Sequence, residues 1–150
     1  MTGVFLMKKI LDRQIQRVSF GHRPLSLIMI DIDNFKLFNE HYGRAYGDHI
    51  LYAVAHTLSD YLRPTDVIAR YGGEEFVVII PDISTEAAVR IGERIKRNVQ
   101  ETCPVTLSVG ISHYREISES LESLIRDADN ALYEAKRKGR NRVEVCEKEG

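Results

Sequence analysis

The feature that most constrains the fold is an uncharged segment, Leu25–Ile30, followed directly by Asp31. Apart from Ser26, every residue in this segment is a large apolar one. A short apolar run of this kind is typical of a strand that is buried within a sheet. The carboxylate of Asp31 is then expected at the end of that strand, which is where ligands commonly bind in sheet proteins.

Two further apolar segments, Val67–Tyr71 and Phe76–Ile80, are separated only by Gly72-Gly73-Glu74-Glu75. This pattern predicts a hairpin, because paired glycines readily supply the positive φ angles that a tight turn needs. The tip of the hairpin carries two adjacent carboxylates. Neighbouring residues on a strand point to opposite faces, so Glu74 and Glu75 are expected to point in different directions.

Apolar residues recur at helical spacing in five other segments. These are an opening helix from Val4 to Val18, a short helix from about Asn34 to His41, a helix from Ile50 to Leu62 closed by Pro64, a helix from Ala88 to Val99 with Ser84 as its N-cap, and a last helix from Leu121 to Ala135 with Gly139 as its C-cap. Extended stretches are predicted at Val105–Ile111 and Val143–Val145. Strands alternate with helices around one hairpin, which predicts an α/β chain with helices packed on a sheet.

Composition limits the chain to one folded unit. With 150 residues, of which 43% are apolar, it can bury one core, so residues 1–150 are interpreted as a single domain. The formal net charge of −1 argues against an overall basic nucleic-acid binder. No apolar run is long enough to span a bilayer and the N-terminus lacks a signal-peptide pattern, which predicts a cytoplasmic domain without direct membrane contact. Cys103 and Cys146 lack metal-site spacing and are expected to be reduced thiols.

The acidic residues suggest a metal site. Asp31 and one glutamate of the hairpin would form an oxygen-only site suited to Mg²⁺, which keeps waters and substrate phosphates as its other ligands. Such sites serve phosphoryl or nucleotidyl transfer. The alternative for the hairpin is a solvated acidic turn, and Asp33 is interpreted as the N-cap of the following helix rather than as a metal ligand.

The segment Lys136–Arg142 carries five cationic side chains at the end of the last helix. Cations are favoured there by the helix dipole alone, which is one explanation of the cluster. Lys136 and Arg140 are four residues apart, however, and can both point toward a phosphate chain. The sequence contains no Walker A loop, so any phosphates would be held by side chains and metal.

Together these motifs resemble the GGDEF family of diguanylate cyclases. Arg70–Phe76 reads RYGGEEF, which is the family signature in its GGEEF form. The agreement covers essentially the whole chain and continues in order at Asp31–Lys36, Asn39, Gly43, Gly47-Asp48, Thr106–Gly110 and Asp129–Arg142.

The resemblance implies a palm-like nucleotidyl cyclase fold with a mostly antiparallel central sheet, and a homodimer in which two domains face each other with one GTP each. Each 3′-hydroxyl would attack the α-phosphate of the opposing GTP, giving cyclic di-GMP and pyrophosphate. In that family, Mg²⁺ or Mn²⁺ would be bound by Asp31, Glu74 and the carbonyl of Ile32. A carboxylate such as Glu74 or Glu75 is the candidate for the catalytic base, with water as the alternative proton acceptor.

The resemblance also implies a binding set for GTP. Guanine would be read by Asn39 and Asp48, and the carboxylate of Asp48 suits guanine because it can accept from two neighbouring donors on the base edge. The phosphates and the rest of the nucleotide would be held by Lys36, Gly72, Gly73, Lys136 and Arg140.

Arg63 and Asp66 form an Arg-x-x-Asp element with five residues between Asp66 and Gly72. At this spacing the family has an inhibitory site for cyclic di-GMP, which Arg94 would complete, and members usually carry an upstream sensor or receiver domain. The structural alternative is that Arg63 complements a helix end and Asp66 caps a turn.

The sequence departs from the family pattern at a few positions. Leu6 and Met7 stand where the family has Asn and Arg, Glu40 replaces a common Asp, and Arg44 stands where a His is frequent. None of these changes removes a group that the chemistry requires. An active enzyme is therefore favoured over a catalytically silent sensor that binds GTP or cyclic di-GMP.

Overall fold

The computed structural model describes residues 24–114 and 121–146. The strands are β1 (Leu25–Ile32), β2 (Val67–Arg70), β3 (Glu75–Pro81), β4 (Leu107–Tyr114) and β5 (Arg142–Val145), and the helices are α1 (Phe35–Tyr42), α2 (Arg44–Asp60), α3 (Thr85–Thr102) and α4 (Leu121–Arg137). The predicted elements in these ranges are confirmed, with bounds that differ by six residues at the start of α2 and by three or fewer elsewhere. The predicted opening helix from Val4 to Val18 lies outside the described residues.

One five-stranded sheet has the order β2-β3-β1-β4-β5. The pairs β1–β3, β1–β4 and β2–β3 are antiparallel, and only β4–β5 is parallel. This confirms the expected mostly antiparallel sheet with one hairpin. All eight residues of β1 are buried, as the apolar run predicts for a central strand.

The two faces of the sheet are covered by different helices. Ile28, Ile30 and Ile32 lie in a core with residues of α1, α2 and α3. Leu27 and Met29 point to the opposite face and pack in a second core against α4. Because side chains alternate along a strand, the next odd-numbered residue, Asp31, projects toward the α4 face.

Close contact between α4 and β4 depends on Gly110. A Cβ atom at this position would lie 2.3 Å from the carbonyl oxygen of Ala128 and 2.3 Å from the amide nitrogen of Leu132. Any larger residue would therefore push α4 away from the sheet. The same packing fixes the position of the C-terminal end of α4, which brings Lys136 toward Asp31.

Two of the three predicted helix caps, Ser84 and Gly139, are confirmed. The hydroxyl of Ser84 accepts a hydrogen bond of 3.1 Å from the N–H of Ala87 at the start of α3. Gly139 has a φ of +124°, and the N–H of Arg140 donates to the carbonyl of Ala135 at 2.9 Å. This geometry closes the end of α4.

The predicted conformation of the hairpin glycines is wrong. Among the described residues, the glycines with positive φ are Gly43 and Gly139, not Gly72 or Gly73. The four-residue connection is closed by a 2.8 Å hydrogen bond from the N–H of Tyr71 to the carbonyl of Glu75, so the reversal is spread over more residues than a two-residue turn allows.

Within the described ranges, no helix is long and apolar enough to cross a membrane.

Candidate active site

The site is built at the end of β1 that faces α4. Asp31 lies directly opposite Glu75 of β3 on one side and Ser108 of β4 on the other. Directly opposed residues project to the same face of a sheet, so the carboxylates of Asp31 and Glu75 are neighbours. Lys136 of α4 reaches the same point, and its ammonium group pairs with Oδ2 of Asp31.

Glu74 completes the acidic group. Its carbonyl accepts a 3.2 Å hydrogen bond from the N–H of Ile32, which holds the tip of the hairpin against the end of β1. The charge of the Glu74 carboxylate contributes to raising the pKa values of both Asp31 and Glu75. The structure therefore brings together the three acidic residues that were predicted to lie at this site.

Burial and mutual repulsion disfavour full ionisation of the acidic group. Burial is the main cause that raises the pKa of Asp31 above its ordinary value, and Lys136 opposes it. The pKa of Glu75 is raised by burial first and then by the negative charge of Asp31, with a smaller contribution from Asp129. One ammonium group does not balance these carboxylates, so the cluster favours additional positive charge.

The cluster fits a divalent ion such as Mg²⁺ or Mn²⁺. Oδ1 of Asp31 is buried and has no hydrogen-bond partner, which leaves one oxygen available as a ligand. Within residues 24–114 and 121–146, no three acidic, histidine or cysteine side chains are placed to hold an ion by themselves. Mg²⁺ does not need such a cage, because one or two carboxylates and substrate oxygens complete its shell. Lys136 competes for the same carboxylate.

The two predicted guanine-reading residues lie on α1 and α2. Asn39 is half-buried, and its Oδ1 is packed against the backbone of Gly47 without a hydrogen-bond partner. Asp48 follows Gly47 on α2, just after the first helical turn, and is exposed to solvent. The carboxamide of Asn39 rests where a side chain at residue 47 would otherwise stand.

The predicted phosphate-binding cations come from two elements. Lys36 is exposed in the first turn of α1, and Arg140 is exposed in the loop that follows α4. Lys136 is partly exposed and is already paired with Asp31. The hairpin residues Gly72 and Gly73 have their carbonyl groups bound by the guanidinium of Arg70.

Asp33 does not act as the predicted helix cap. The N-cap position of α1 is occupied by Asn34, which makes no side-chain cap. The Asp33 carboxylate instead accepts hydrogen bonds from the hydroxyls of Thr106 and Ser108 and from the N–H of Asn141. The prediction is wrong because these donors come from parts of the chain that only the tertiary fold brings to Asp33.

The predicted inhibitory pair forms a turn of its own. Asp66, whose side chain is 1% exposed, accepts from the N–H of Arg63 at 2.8 Å and from its guanidinium at 3.1 Å. Arg63 also donates to the carbonyl of Pro81. The side chain of Arg63 is nevertheless about half exposed, and Arg94 on α3 is exposed. These contacts match the structural alternative and leave one side of Arg63 accessible.

Sequence reasoning missed two residues that shape the site. Gly47 was identified only as part of the family motif, although the side chain of Asn39 packs directly against it. Asp129 of α4 adds negative charge near Glu75. Asp129 and Lys136 are two turns apart on one helix and therefore lie on the same face of it, and this spacing could have placed Asp129 near the site. No local signal could have identified the role of Gly47.

Comparison with known proteins supports this interpretation. A family model described as diguanylate cyclase, GGDEF domain, matches residues 3–142. The chain is 46% identical over 127 residues to diguanylate cyclase A of Treponema denticola, which covers 79% of this chain and 34% of that protein. It is 40% identical over 143 residues to the response regulator PleD of Caulobacter vibrioides, covering 89% of this chain and 32% of PleD. The chain thus spans about a third of the length of these relatives.

Solved structures share the fold. The GGDEF domain of DgcB from Caulobacter crescentus, in complex with c-di-GMP, superposes with a TM-score of 0.90 at 33% identity, covering 97% of this chain and 91% of that chain. The active GGEEF domain of a diguanylate cyclase from Vibrio cholerae gives a TM-score of 0.85 at 31% identity, covering 91% of this chain and 92% of that chain. The expected palm-like α+β fold is confirmed.

Proposed function

Because the chain belongs to the GGDEF family of diguanylate cyclases, we propose that it condenses two molecules of GTP into cyclic di-GMP and two molecules of pyrophosphate. The observation that carries the proposal is the cluster at the end of β1, where Asp31 lies opposite Glu75 and pairs with Lys136. The cluster combines carboxylates for a divalent ion with a cation for phosphate, as nucleotidyl transfer requires.

In this reaction the oxygen of one 3′-hydroxyl forms a bond to the α-phosphorus of the other GTP. The bond between the α- and β-phosphates breaks, and pyrophosphate leaves with the electron pair. The hydroxyl proton passes to a hairpin carboxylate, for which we assign Glu75 because Glu74 would be a ligand of the divalent ion. A second, symmetric transfer closes the ring.

The oxygen ligands that would hold Mg²⁺ or Mn²⁺ are Oδ1 of Asp31, the carboxylate of Glu74 and the carbonyl of Ile32. Such an ion, when bound, polarises the α-phosphate and lowers the pKa of the attacking hydroxyl. Lys136 pairs with Asp31 in the free protein and would exchange this partner for a phosphate oxygen when GTP binds. Lys36 and Arg140, both exposed, hold the remaining phosphates.

We assign base recognition to Asn39 and Asp48. Asp48 is exposed and can accept both donors on the guanine edge, whereas adenine presents an acceptor there. Asn39 is held against Gly47, which limits the directions that its amide can take. Gly72 and Gly73 let the hairpin approach the nucleotide, because they carry no side chains.

Each chain holds one GTP in this assignment, so the reaction needs two copies of the domain that face each other. We further propose that the chain is the GGDEF domain of a longer protein with an upstream sensor or receiver domain. Relatives about three times as long, one of them named a response regulator, support this.

We assign product inhibition to Arg63, Asp66 and Arg94. The DgcB domain was solved in complex with c-di-GMP, which supports binding of the product in this family. The planar guanidinium of Arg63 can bind phosphate or guanine acceptors, and about half of the Arg63 side chain is exposed to solvent.

The proposal is tested by incubating the protein with GTP and Mg²⁺ and separating the nucleotides by anion-exchange chromatography. We expect cyclic di-GMP and two pyrophosphates per product molecule, and no product when EDTA removes the ion. Unchanged GTP in the presence of Mg²⁺ would contradict catalysis. Unchanged GTP combined with tight binding of GTP or cyclic di-GMP would identify a silent sensor instead.

A further inference from the structure

A second carboxylate near the end of β1, Asp33, makes contacts that the proposed chemistry does not use. Asp33 is only 7% exposed. Its Oδ1 accepts a 2.6 Å hydrogen bond from the hydroxyl of Ser108, and its Oδ2 accepts from the hydroxyl of Thr106 at 2.7 Å and from the N–H of Asn141 at 3.0 Å. One buried side chain therefore joins the end of β1, the start of β4 and the loop after α4.

The loop after α4, residues 138–141 (the basic loop), has a strained backbone. Arg140 has a φ of 64° and Asn141 a φ of 47°, both in the left-handed region. Each such residue other than glycine costs about 1–3 kcal/mol and persists only where its surroundings hold it. The N–H of Arg140 is held by the carbonyl of Ala135, and the N–H of Asn141 is held by Asp33.

We propose that Asp33 is a positioning residue for the GTP phosphates, which acts by holding Arg140 of the basic loop at a set distance from Asp31. Asp31 lies two residues before Asp33 on the same segment, so one short stretch of backbone connects the acidic cluster to the anchor of the loop. The proposal rests on the proposed function, because Arg140 is assigned there to phosphate binding.

Loss of the anchor would let Arg140 and Asn141 relax to common φ values, which would displace the Arg140 guanidinium relative to Asp31. A misplacement of about 1 Å can lower the rate of an enzyme roughly 100-fold. Direct ligation of a metal by Asp33 is the competing role. It is disfavoured because three donors already occupy the carboxylate oxygens.

The first test compares Asp33→Asn with Asp33→Ala. An amide oxygen can accept from Thr106 and Asn141 while the amide nitrogen donates to the hydroxyl of Ser108, so we expect Asp33→Asn to keep kcat/KM within about 5-fold of the wild type. We expect Asp33→Ala to lose about 100-fold, mainly through a higher KM for GTP. Equal losses in both variants, with a higher requirement for Mg²⁺, would establish metal ligation and overturn the proposal.

The second test asks whether Asp33 acts through Arg140. In the Arg140→Ala background, Asp33→Ala should lower kcat/KM by less than about 3-fold, because the group that it positions is already absent. Losses that multiply independently in the double variant would overturn the proposal.

The third test does not depend on activity. Amide hydrogen exchange at Asn141 and Arg140 should become faster in Asp33→Ala than in the wild type, while exchange in the β1–β3 pair stays slow. Unchanged protection at both amides would overturn the proposal, even if the wild type makes cyclic di-GMP. A wild type that makes no product would instead contradict the proposed function and leave the exchange result to decide the anchor.

If Asp33→Ala does not fold, the double variant Thr106→Val/Ser108→Ala takes its place. It removes the two hydroxyls that orient the carboxylate and keeps the carboxylate itself. We expect the same direction of change in KM and in exchange at Asn141, at a smaller size, and no change in either would overturn the proposal.

Discussion

Substitution of Gly47 by alanine should impair recognition of guanine without weakening the fold. A Cβ atom at residue 47 would lie 1.7 Å from Oδ1 of Asn39, whereas unbonded heavy atoms are comfortable at about 3.5 Å. The carboxamide must therefore shift by roughly 1.5–2 Å or rotate away. Only the flexible end of a side chain has to move, so the backbones of α1 and α2 can stay in place.

The two consequences have opposite signs. Alanine in a helix is favoured over glycine by about 0.5–1 kcal/mol, so the thermal midpoint should be unchanged or slightly higher. Loss of the Asn39 contact to guanine should lower kcat/KM for GTP by about 10- to 100-fold, which corresponds to about 1.4–2.7 kcal/mol. Steady-state kinetics and thermal denaturation of the same preparations measure both effects.

Gly92→Ala is the matched control. Gly92 is also a buried helical glycine, but a Cβ atom there would lie 3.5 Å from Ile111 and 3.6 Å from Val109, which are ordinary contacts. We expect normal kinetics for this variant. In an Asn39→Ala background, Gly47→Ala should have little further effect. Normal kcat/KM in Gly47→Ala, or an undiminished effect in that background, would refute the reasoning.

Four other variants test the remaining assignments. Glu74→Gln should reduce turnover at least about 100-fold with an unchanged circular dichroism spectrum, because a ligand of the ion is neutralised. Substitution of the exposed Glu101 by Gln is the control. Near-normal product formation in Glu74→Gln would contradict the ligand assignment. In calorimetry, Asp48→Ala should weaken GTP binding about 10-fold or more and ATP binding far less, because only guanine loses an acceptor for its two donors. Equal weakening of both nucleotides would show that Asp48 does not read the base. Arg63→Ala and Arg94→Ala should both relieve inhibition by cyclic di-GMP in assays of GTP turnover. Arg63 also supports the turn at Asp66, whereas Arg94 is not part of that turn, so an effect of Arg94→Ala cannot come from loss of the turn. Inhibition of the two variants equal to that of the wild type, or inhibition abolished by excess GTP, would favour product binding in the active site.

Local sequence determined most of the elements of this protein. The apolar run before Asp31 produced a wholly buried central strand, because such residues lose contact with water on both faces of a sheet. Ser84 caps the start of α3 and Gly139 closes the end of α4, as predicted, because capping depends on neighbours within a few residues. The hairpin was also predictable, although the conformation of its glycines was not.

The approximate location of the acidic cluster could be predicted from the sequence, because Asp31 and the hairpin glutamates stand at strand ends. Their partners could not. Lys136 pairs with Asp31 only because α4 packs on the face to which odd-numbered residues of β1 point, and that choice depends on the close approach at Gly110. Alternation along a strand separates two faces but does not specify which helix covers each of them.

Asp33 illustrates the difference most directly. From sequence it had the position of a helix cap, a role that depends only on the next few residues. In the fold its carboxylate binds Thr106, Ser108 and Asn141, which are distant along the chain. A buried carboxylate takes the donors that the tertiary structure brings to it, because leaving a buried charge without partners costs more free energy than a single helix cap contributes.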